Sequence, residues 1–333
     1  MERKNTEVAE LEEVYMSYIT VENLEKNYIV YGKKFLKREK KIIKALDKIN
    51  FKVEKGEFLG YIGPNGAGKS TTIKIISGIM TPDSGEVKVG EYIPYKQRKK
   101  YVKNIGVVFG QKTQMWWDLP VIDTYNLLKG IYKIDEKKYK NNLSYIIEKL
   151  NLKEILTQPV RQLSLGQRMR AEIGASMIHD PEILFLDEPT IGLDIVTKHK
   201  VLNFLKELNE KGKTIFLTTH DLDDIEVLCK EILIINKGTV VYKGTMKGLN
   251  TITKIPTILK ISLKENSMNS SNDFLIKKYN AVYDQEANRI EIIVDADKKT
   301  ADIAKEFFQH FDIEDFKVED PDIEDIIKNI YEI

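Results

Sequence analysis

Gly63-Pro64-Asn65-Gly66-Ala67-Gly68-Lys69-Ser70-Thr71 has the residue types and spacing that let a backbone wrap a polyphosphate. Glycines leave room for successive amide N–H groups to converge on an anion, and a helix beginning near Gly68 adds the positive end of its dipole. Lys69 is then expected over the outer phosphates, with the Ser70 hydroxyl on Mg²⁺ and the Thr71 hydroxyl near the inner phosphate. Farther along, Pro181-Glu182-Ile183-Leu184-Phe185-Leu186-Asp187-Glu188-Pro189 is an apolar run closing on two carboxylates. Asp187 can hold the metal ion through water, and Glu188 is the expected general base for an attacking water, because a carboxylate engaged by metal cannot also take the proton. Thr214-Ile215-Phe216-Leu217-Thr218-Thr219-His220 ends a further apolar run in an imidazole that can reach a terminal phosphate, whereas His179, His199 and His310 read as surface or packing residues. Gln111, just after Gly110, can offer its amide to metal or water at a hinge between two differently patterned regions.

These groups need a scaffold that brings strand ends together. Glu57 to Ile62 reads as a buried strand and Thr71 to Ile76 as a helix, so the glycine loop has the strand–loop–helix order that its chemistry requires. Ile105-Gly106-Val107-Val108-Phe109, Ile183 to Leu186 and Thr214 to Leu217 are short, apolar and β-rich, as in a sheet buried on both faces. Between Gln111 and about Gln162 the period changes: Leu127, Leu128 and Ile131, then Leu143, Ile146, Ile147 and Leu150, recur at helical spacing, marking an inserted helical subdomain over about 112–162. Ser164 and Gly166 in Leu163-Ser164-Leu165-Gly166-Gln167 are expected to cap a helix continued by Met169, Ile173 and Met177, aiming its positive end at an anion.

After Leu249 the pattern shifts again. Ile258 to Leu263 alternates, Asp273 to Tyr279 is helical, Ile290, Ile292 and Val294 alternate, Ile303, Phe307 and Phe311 recur every four residues, and Phe316 and Val318 sit on a last strand. That order, β-α-β-β-α-β, predicts a small ferredoxin-like α+β domain over 249–333. Ile323, Ile326, Ile327 and Ile330 predict a terminal helix that docks or dimerises. Residues 1–17 carry a short acidic helical pattern that reads either as an appended helix or as sequence upstream of a second start at Met16, and no function is assigned to them.

Charge nearly cancels, 52 basic against 51 acidic residues in 333, which argues against holding nucleic acid by bulk charge. The single cysteine, Cys229, excludes a disulfide framework and reads as a core thiol in a reducing cytoplasm. No run approaches the length needed to span a bilayer, and Met1 to Asn5 lacks a signal-peptide apolar region.

Together these motifs resemble an ATP-binding cassette (ABC) ATPase over roughly residues 18–248. Gly63 to Thr71 is similar to the Walker A loop, Ile183 to Glu188 to Walker B, Leu163 to Gln167 to the ABC signature, Gln111 to the Q-loop, Ile191-Gly192-Leu193-Asp194 to the D-loop and His220 to the H-loop. The resemblance implies a P-loop NTPase cassette of the α/β class, with a mainly parallel core sheet, an antiparallel β subdomain and an inserted helical subdomain. It also implies ATP and Mg²⁺ as cofactors, and a head-to-tail second cassette whose Ser164, Gly166, Gln167 and Asp194 complete the site around ATP bound to the first. Leu165 and Ile191 depart from the residues usual at their positions without removing a phosphate donor. Tyr28 is the expected adenine platform, with Tyr31 as its rival. Lys33 to Lys41 reads as a solvated loop or, alternatively, a contact for acidic lipid or a partner. Gln114-Met115-Trp116-Trp117-Asp118-Leu119-Pro120 falls where family cassettes receive a permease, so its aromatics are expected to dock one or to be core. The whole looks most like the ATPase of an ABC-2 type exporter, peripheral on the inner face of the cell membrane, with its permease a separate chain and no nucleic acid expected. A non-transport ABC ATPase acting on ribosome or DNA is the alternative, disfavoured by the single cassette and the lack of a long coiled coil.

Overall fold

The computed structural model describes residues 17–34, 37–110, 112–219, 221–246, 248–249, 256–264, 273–295, 298–319 and 327. The chain divides into two compact units at Lys243/Gly244.

In the first unit, β3 (Phe58–Ile62), β5 (Ile105–Phe109), β6 (Ile183–Asp187), β7 (Thr214–Thr218), β8 (Glu231–Asn236) and β9 (Thr239–Gly244) form a six-stranded sheet ordered β5-β6-β7-β3-β8-β9. The pairings β5–β6, β6–β7, β7–β3 and β3–β8 are parallel, so the carboxyl ends of β3, β5, β6 and β7 lie along one edge. β3 and β7 are buried at every position, the pattern expected of strands covered on both faces. A second, antiparallel sheet has the order β2-β1-β4, from β1 (Ser17–Lys34), β2 (Lys37–Glu54) and β4 (Ser84–Val89). Ile19, Val21, Leu46, Phe51 and Val87 from this sheet share one core with Leu59, Tyr61, Phe185 and Phe216 of the parallel sheet.

One expectation is corrected here. Lys33 to Lys41 is not a loop: β1 and β2 pair through Tyr31↔Lys40, Gly32↔Glu39, Lys33↔Arg38 and Lys34↔Lys37, with residues 35 and 36 outside the described set. The ladder entering from the sheet sets the register, and cross-strand backbone bonds carry it through a strongly basic stretch whose composition alone suggested solvated coil.

α1 (Lys69–Ile76) follows β3, and the short α2 (Arg98–Tyr101) precedes β5. Then come α3 (Val121–Tyr132), α4 (Glu136–Lys149), a 3₁₀ turn at Val160–Gln162 and α5 (Leu165–Met177). α5 packs on both preceding helices: Tyr125 Oη donates to the Ala171 carbonyl at 2.8 Å, and Arg170 donates to the Leu150 carbonyl at 2.7 Å. α3 buries Val121, Thr124 and Tyr125, while Leu127 and Ile131, whose spacing marked the helix, are 43% and 60% exposed. α6 (Ile195–Glu210) and α7 (Leu222–Leu228) complete the unit.

The second unit has an antiparallel sheet of order β11-β12-β10-β13, from β10 (Thr257–Leu263), β11 (Val282–Asp284), β12 (Arg289–Val294) and β13 (Ile313–Glu319). Helices α8 (Asp273–Lys278) and α9 (Thr300–His310) cover it, with Leu259, Ile261, Ile290 and Ile292 packed against Leu275, Ile303 and Phe307. Of the expected terminal helix, Ile323, Ile326 and Ile330 lie outside the described residues; Ile327 is buried.

Candidate nucleotide site

Two positions in the turn after β3 have no room for a side chain. A Cβ on Gly63 would lie 2.5 Å from the Ile235 carbonyl oxygen, and one on Gly68, whose φ is +114°, would lie 2.6 Å from that of Ala45. Ala67 N–H bonds to the Pro64 carbonyl at 3.1 Å, and Gly238 N–H to that of Ala67 at 3.0 Å, fixing the loop against the β8–β9 turn. Lys69, the first residue of α1, is 6% exposed and donates to the carbonyl oxygens of Gly63 and, at 3.2 Å, Pro64. Burial pulls its ammonium below the ordinary lysine value, against the opposing pull of Glu188 and Asp187.

At the end of β6, Asp187 accepts a 2.6 Å bond from Thr218 Oγ1 of β7, and Glu188 N–H reaches the Thr218 carbonyl at 3.0 Å. Glu188 takes φ +54°, a left-handed conformation that costs free energy outside glycine, and it is closely held. Gly110 N–H bonds to the Asp187 carbonyl at 2.7 Å, and a Cβ there would stand 2.4 Å from Glu188 O. Thus β5, β6 and β7 deliver their ends to one place.

That place is a cleft of about 910 Å³ lined by Tyr28, the loop from Gly63 to Gly66, Gly68 to Thr71, Asp187 and Glu188. Ala67 lies beneath it, 3% exposed. Tyr28 Oη is 3.2 Å from Thr71 Oγ1, whereas Tyr31 is 65% exposed and does not line the cleft. Ile43, Lys44 and Ala45 of β2, Lys112 and Ile191 also line it, as does Phe109. The sequence marked none of these as site residues, nor Thr218, whose role follows only from the β6–β7 register Asp187↔Thr218. Gln111 and His220 lie outside the described residues.

Ser164, Gly166, Gln167 and Asp194 do not line this cleft. Ser164 caps α5: its Oγ accepts from Gln167 N–H at 3.2 Å, and Gln167 Oε1 accepts from Ser164 N–H at 2.9 Å. Asp194 caps α6 through Thr197 N–H at 3.0 Å, a bond that, with the Thr197 hydroxyl, holds its carboxyl below the usual range. The two caps are neighbours. A Cβ on Gly192 would meet Leu165 Cδ2 at 2.6 Å, and one on Gly166 the Thr197 methyl at 3.3 Å. Leu165, unusual for its motif position, therefore packs over the glycine of the other loop.

A further hollow of about 340 Å³ separates β5 from the helical block, lined among others by Phe109, Lys112, Leu128, Tyr132, Glu172 and His179. His179 stacks on Tyr132 at 3.9 Å, and its Nε2 is 2.9 Å from the Ile105 carbonyl oxygen, a packing role.

A nucleotide-gripping glycine loop beside a strand-end carboxylate pair, on a parallel sheet flanked by an antiparallel one, defines an ATP-binding cassette, and comparison with known proteins agrees. Residues 46–191 match the ABC transporter family model. The chain is 30% identical to the linearmycin resistance ATP-binding protein LnrL of Bacillus subtilis, over 94% of this chain and 97% of that protein. It is 29% identical to the ABC transporter ATP-binding protein NatA of the same organism, over 63% and 86%. Among solved structures, the dimeric cassette MJ0796 bound to ADP and Pi superposes with a TM-score of 0.59 at 28% identity, covering 68% of this chain and 98% of that one. The chain belongs to the ABC transporter family, as the ATP-binding and ATP-hydrolysing subunit of an exporter.

Proposed function

We propose that the cleft binds Mg-ATP between two copies of this chain and that hydrolysis there drives a separate transmembrane permease. The observation that carries the reading is the convergence of Tyr28, the Gly63–Thr71 loop, Asp187 and Glu188 on one cleft. Tyr28 offers a flat face for adenine beside Thr71. Lys69 can turn from its loop carbonyls to the outer phosphates. Ser70, an exposed hydroxyl in the cleft, and Asp187, oriented by Thr218, form a hard oxygen donor set suited to Mg²⁺, with Gln111 as a further ligand. When bound, the ion supplies positive charge to the phosphate oxygens. Glu188 takes the proton from the attacking water, its place fixed by the Thr218 bond and the Gly110 contact. His220 senses the terminal phosphate.

Ser164, Gly166, Gln167 and Asp194 serve the second copy. In support, the capping box orders the positive end of α5 at a place away from the chain's own cleft. Loss of the terminal phosphate then loosens the pair.

Docking of the permease is assigned to the hollow beside β5 and to the run after it. Trp116 and Trp117 are 43% and 48% exposed, and Leu127 and Ile131 of α3 are exposed as well, an apolar surface that a partner would cover. No helix among the described residues is long and apolar enough to cross a membrane. The pathway is assigned to a separate permease, with this subunit peripheral on the inner face of the cell membrane. The C-terminal unit is read as ferredoxin-like: its order β11-β12-β10-β13, antiparallel throughout, is that of a β-α-β-β-α-β plait, and its role is dimer support or regulation.

The test is recovery of the tagged full-length chain from membranes. Replacing both Trp116 and Trp117 with alanine should release the permease while ATP affinity holds. Retention of the partner by the double variant would refute the docking surface.

A further inference from the structure

Glu172 has no place in the nucleotide cleft, yet it is a carboxylate only 4% exposed on the helix that Ser164 begins. If packing alone mattered, an apolar side chain would serve at lower cost. Its bonds all run in one direction. The carboxylate accepts the Thr113 hydroxyl proton, and its two oxygens accept Gln114 N–H at 3.1 and 3.3 Å. The Glu172 carbonyl also takes a 3.4 Å bond from Gln114 Nε2, and Met115 N–H closes back onto Thr113 Oγ1 at 3.1 Å.

The next two residues are fastened to the same block. Trp116 N–H reaches Thr124 Oγ1 of α3 at 3.4 Å, Trp117 O accepts Arg161 N–H at 3.0 Å, and the Arg168 guanidinium of α5 lies 5.7 Å from the Trp117 ring centre. Lys112, by contrast, is bonded back to the core: its N–H reaches Phe109 O of β5 at 3.0 Å. The joint between core and helical block therefore falls between Lys112 and Thr113.

We infer that Glu172 is a positioning residue whose carboxylate fastens Thr113–Trp117 to α5, so that the tryptophan pair travels with the helix end that presents Ser164. The inference rests on the proposed function for its meaning, since it makes the permease-facing tryptophans follow the nucleotide-facing cap. Without Glu172 the hinge would spread into residues 113–117, and a movement of α5 would be absorbed there.

Hydrogen exchange on the full-length chain, followed with tryptophan emission, tests it without a permease. In Glu172→Gln the negative charge is lost and the second oxygen becomes an NH2 donor facing Gln114 N–H, leaving one neutral acceptor, and in Thr113→Val the hydroxyl donor is deleted without touching α5. Exchange in the 113–117 peptide should rise about tenfold in either variant, the loss that one charge-assisted hydrogen bond implies. Tryptophan emission should shift red as Trp117 leaves Arg168, while β5 and α5 peptides and ATP affinity hold. Unchanged exchange at 113–117 overturns the inference. So does an equal rise across β5, α5 and 113–117, which is what a merely structural residue would give. Should Glu172→Gln fail to fold, Thr113→Val decides by the same readouts. Failure to find a permease would remove the docking surface and leave this tie standing, so the two failures are distinguishable.

Discussion

Thr218→Val isolates what holds the Asp187 carboxylate, proposed above for Mg²⁺. Thr218 is fully buried; its hydroxyl donates to Asp187 Oδ1 at 2.6 Å and accepts Glu188 N–H at 3.2 Å. Valine keeps the shape and removes both bonds, although Glu188 N–H retains the Thr218 backbone carbonyl at 3.0 Å. A hydrogen bond to a charged group contributes roughly 1.5–3 kcal/mol, so Asp187 loses a restraint worth about tenfold to a hundredfold in its correctly oriented population. That figure is already net of solvation in the unfolded chain, so stability falls by a comparable amount, which a domain stable by roughly 5–15 kcal/mol survives. The assay is ATPase rate against Mg²⁺ concentration, alongside a thermal melt without nucleotide. The expected result is a higher Mg²⁺ requirement and a turnover lowered at least about tenfold, with the melt displaced by a few degrees. An unchanged Mg²⁺ half-saturation and turnover in a folded variant would refute the orientation of Asp187 by Thr218.

Glu188→Gln should abolish turnover while retaining ATP, and sedimentation should then show an ATP-dependent dimer; normal hydrolysis removes Glu188 as the base. Acid should destabilise the fold through His179, whose imidazole is lowered from 6.5 to about 4 by burial. The unfolded histidine takes its proton near pH 6.5 and the folded one near 4, so its contribution is intact above that window and about 3 kcal/mol is lost as pH falls through it. Urea midpoints at pH 7 and 4.5 should converge in His179→Gln, and an undiminished pH dependence would assign the acid sensitivity elsewhere.

What the sequence disclosed and what it hid divide along a physical line. Gly63 and Gly68 are local demands, a backbone conformation and a close approach, so their types announce the loop. Which of Tyr28 and Tyr31 lines the cleft follows instead from a ladder with register irregularities at Val21/Leu24, Leu24/Lys26 and Lys26/Asn27, which no period in the chain reveals. Thr218 is similarly silent, one threonine in an apolar strand until pairing sets it opposite Asp187. In α3 helical spacing found the helix but could not say which face is covered, because Leu127 and Ile131 have the same period as buried residues and remain exposed. An exposed apolar stripe looks, in sequence, like a core.

The capping box of α5 raises a question that one substitution can answer. Ser164 and Gln167 satisfy each other, and that reciprocity alone would explain both residues as helix stabilisers. Glutamate at position 167 is an equally good capping partner, and its charge favours a helix start by about 0.3–1 kcal/mol. If the cap serves only the fold, Gln167→Glu should leave the protein as stable or slightly more so, and every nucleotide-dependent property intact. If the same helix end addresses a phosphate held by a second copy, the added carboxylate opposes that anion, and ATP-driven dimerisation in the Glu188→Gln background should weaken even as the melting temperature holds. The two effects have opposite signs, so sedimentation with ATP and a melt on the same sample separate them. Undiminished ATP-dependent dimerisation in Gln167→Glu would confine α5's cap to folding and remove it from the nucleotide site.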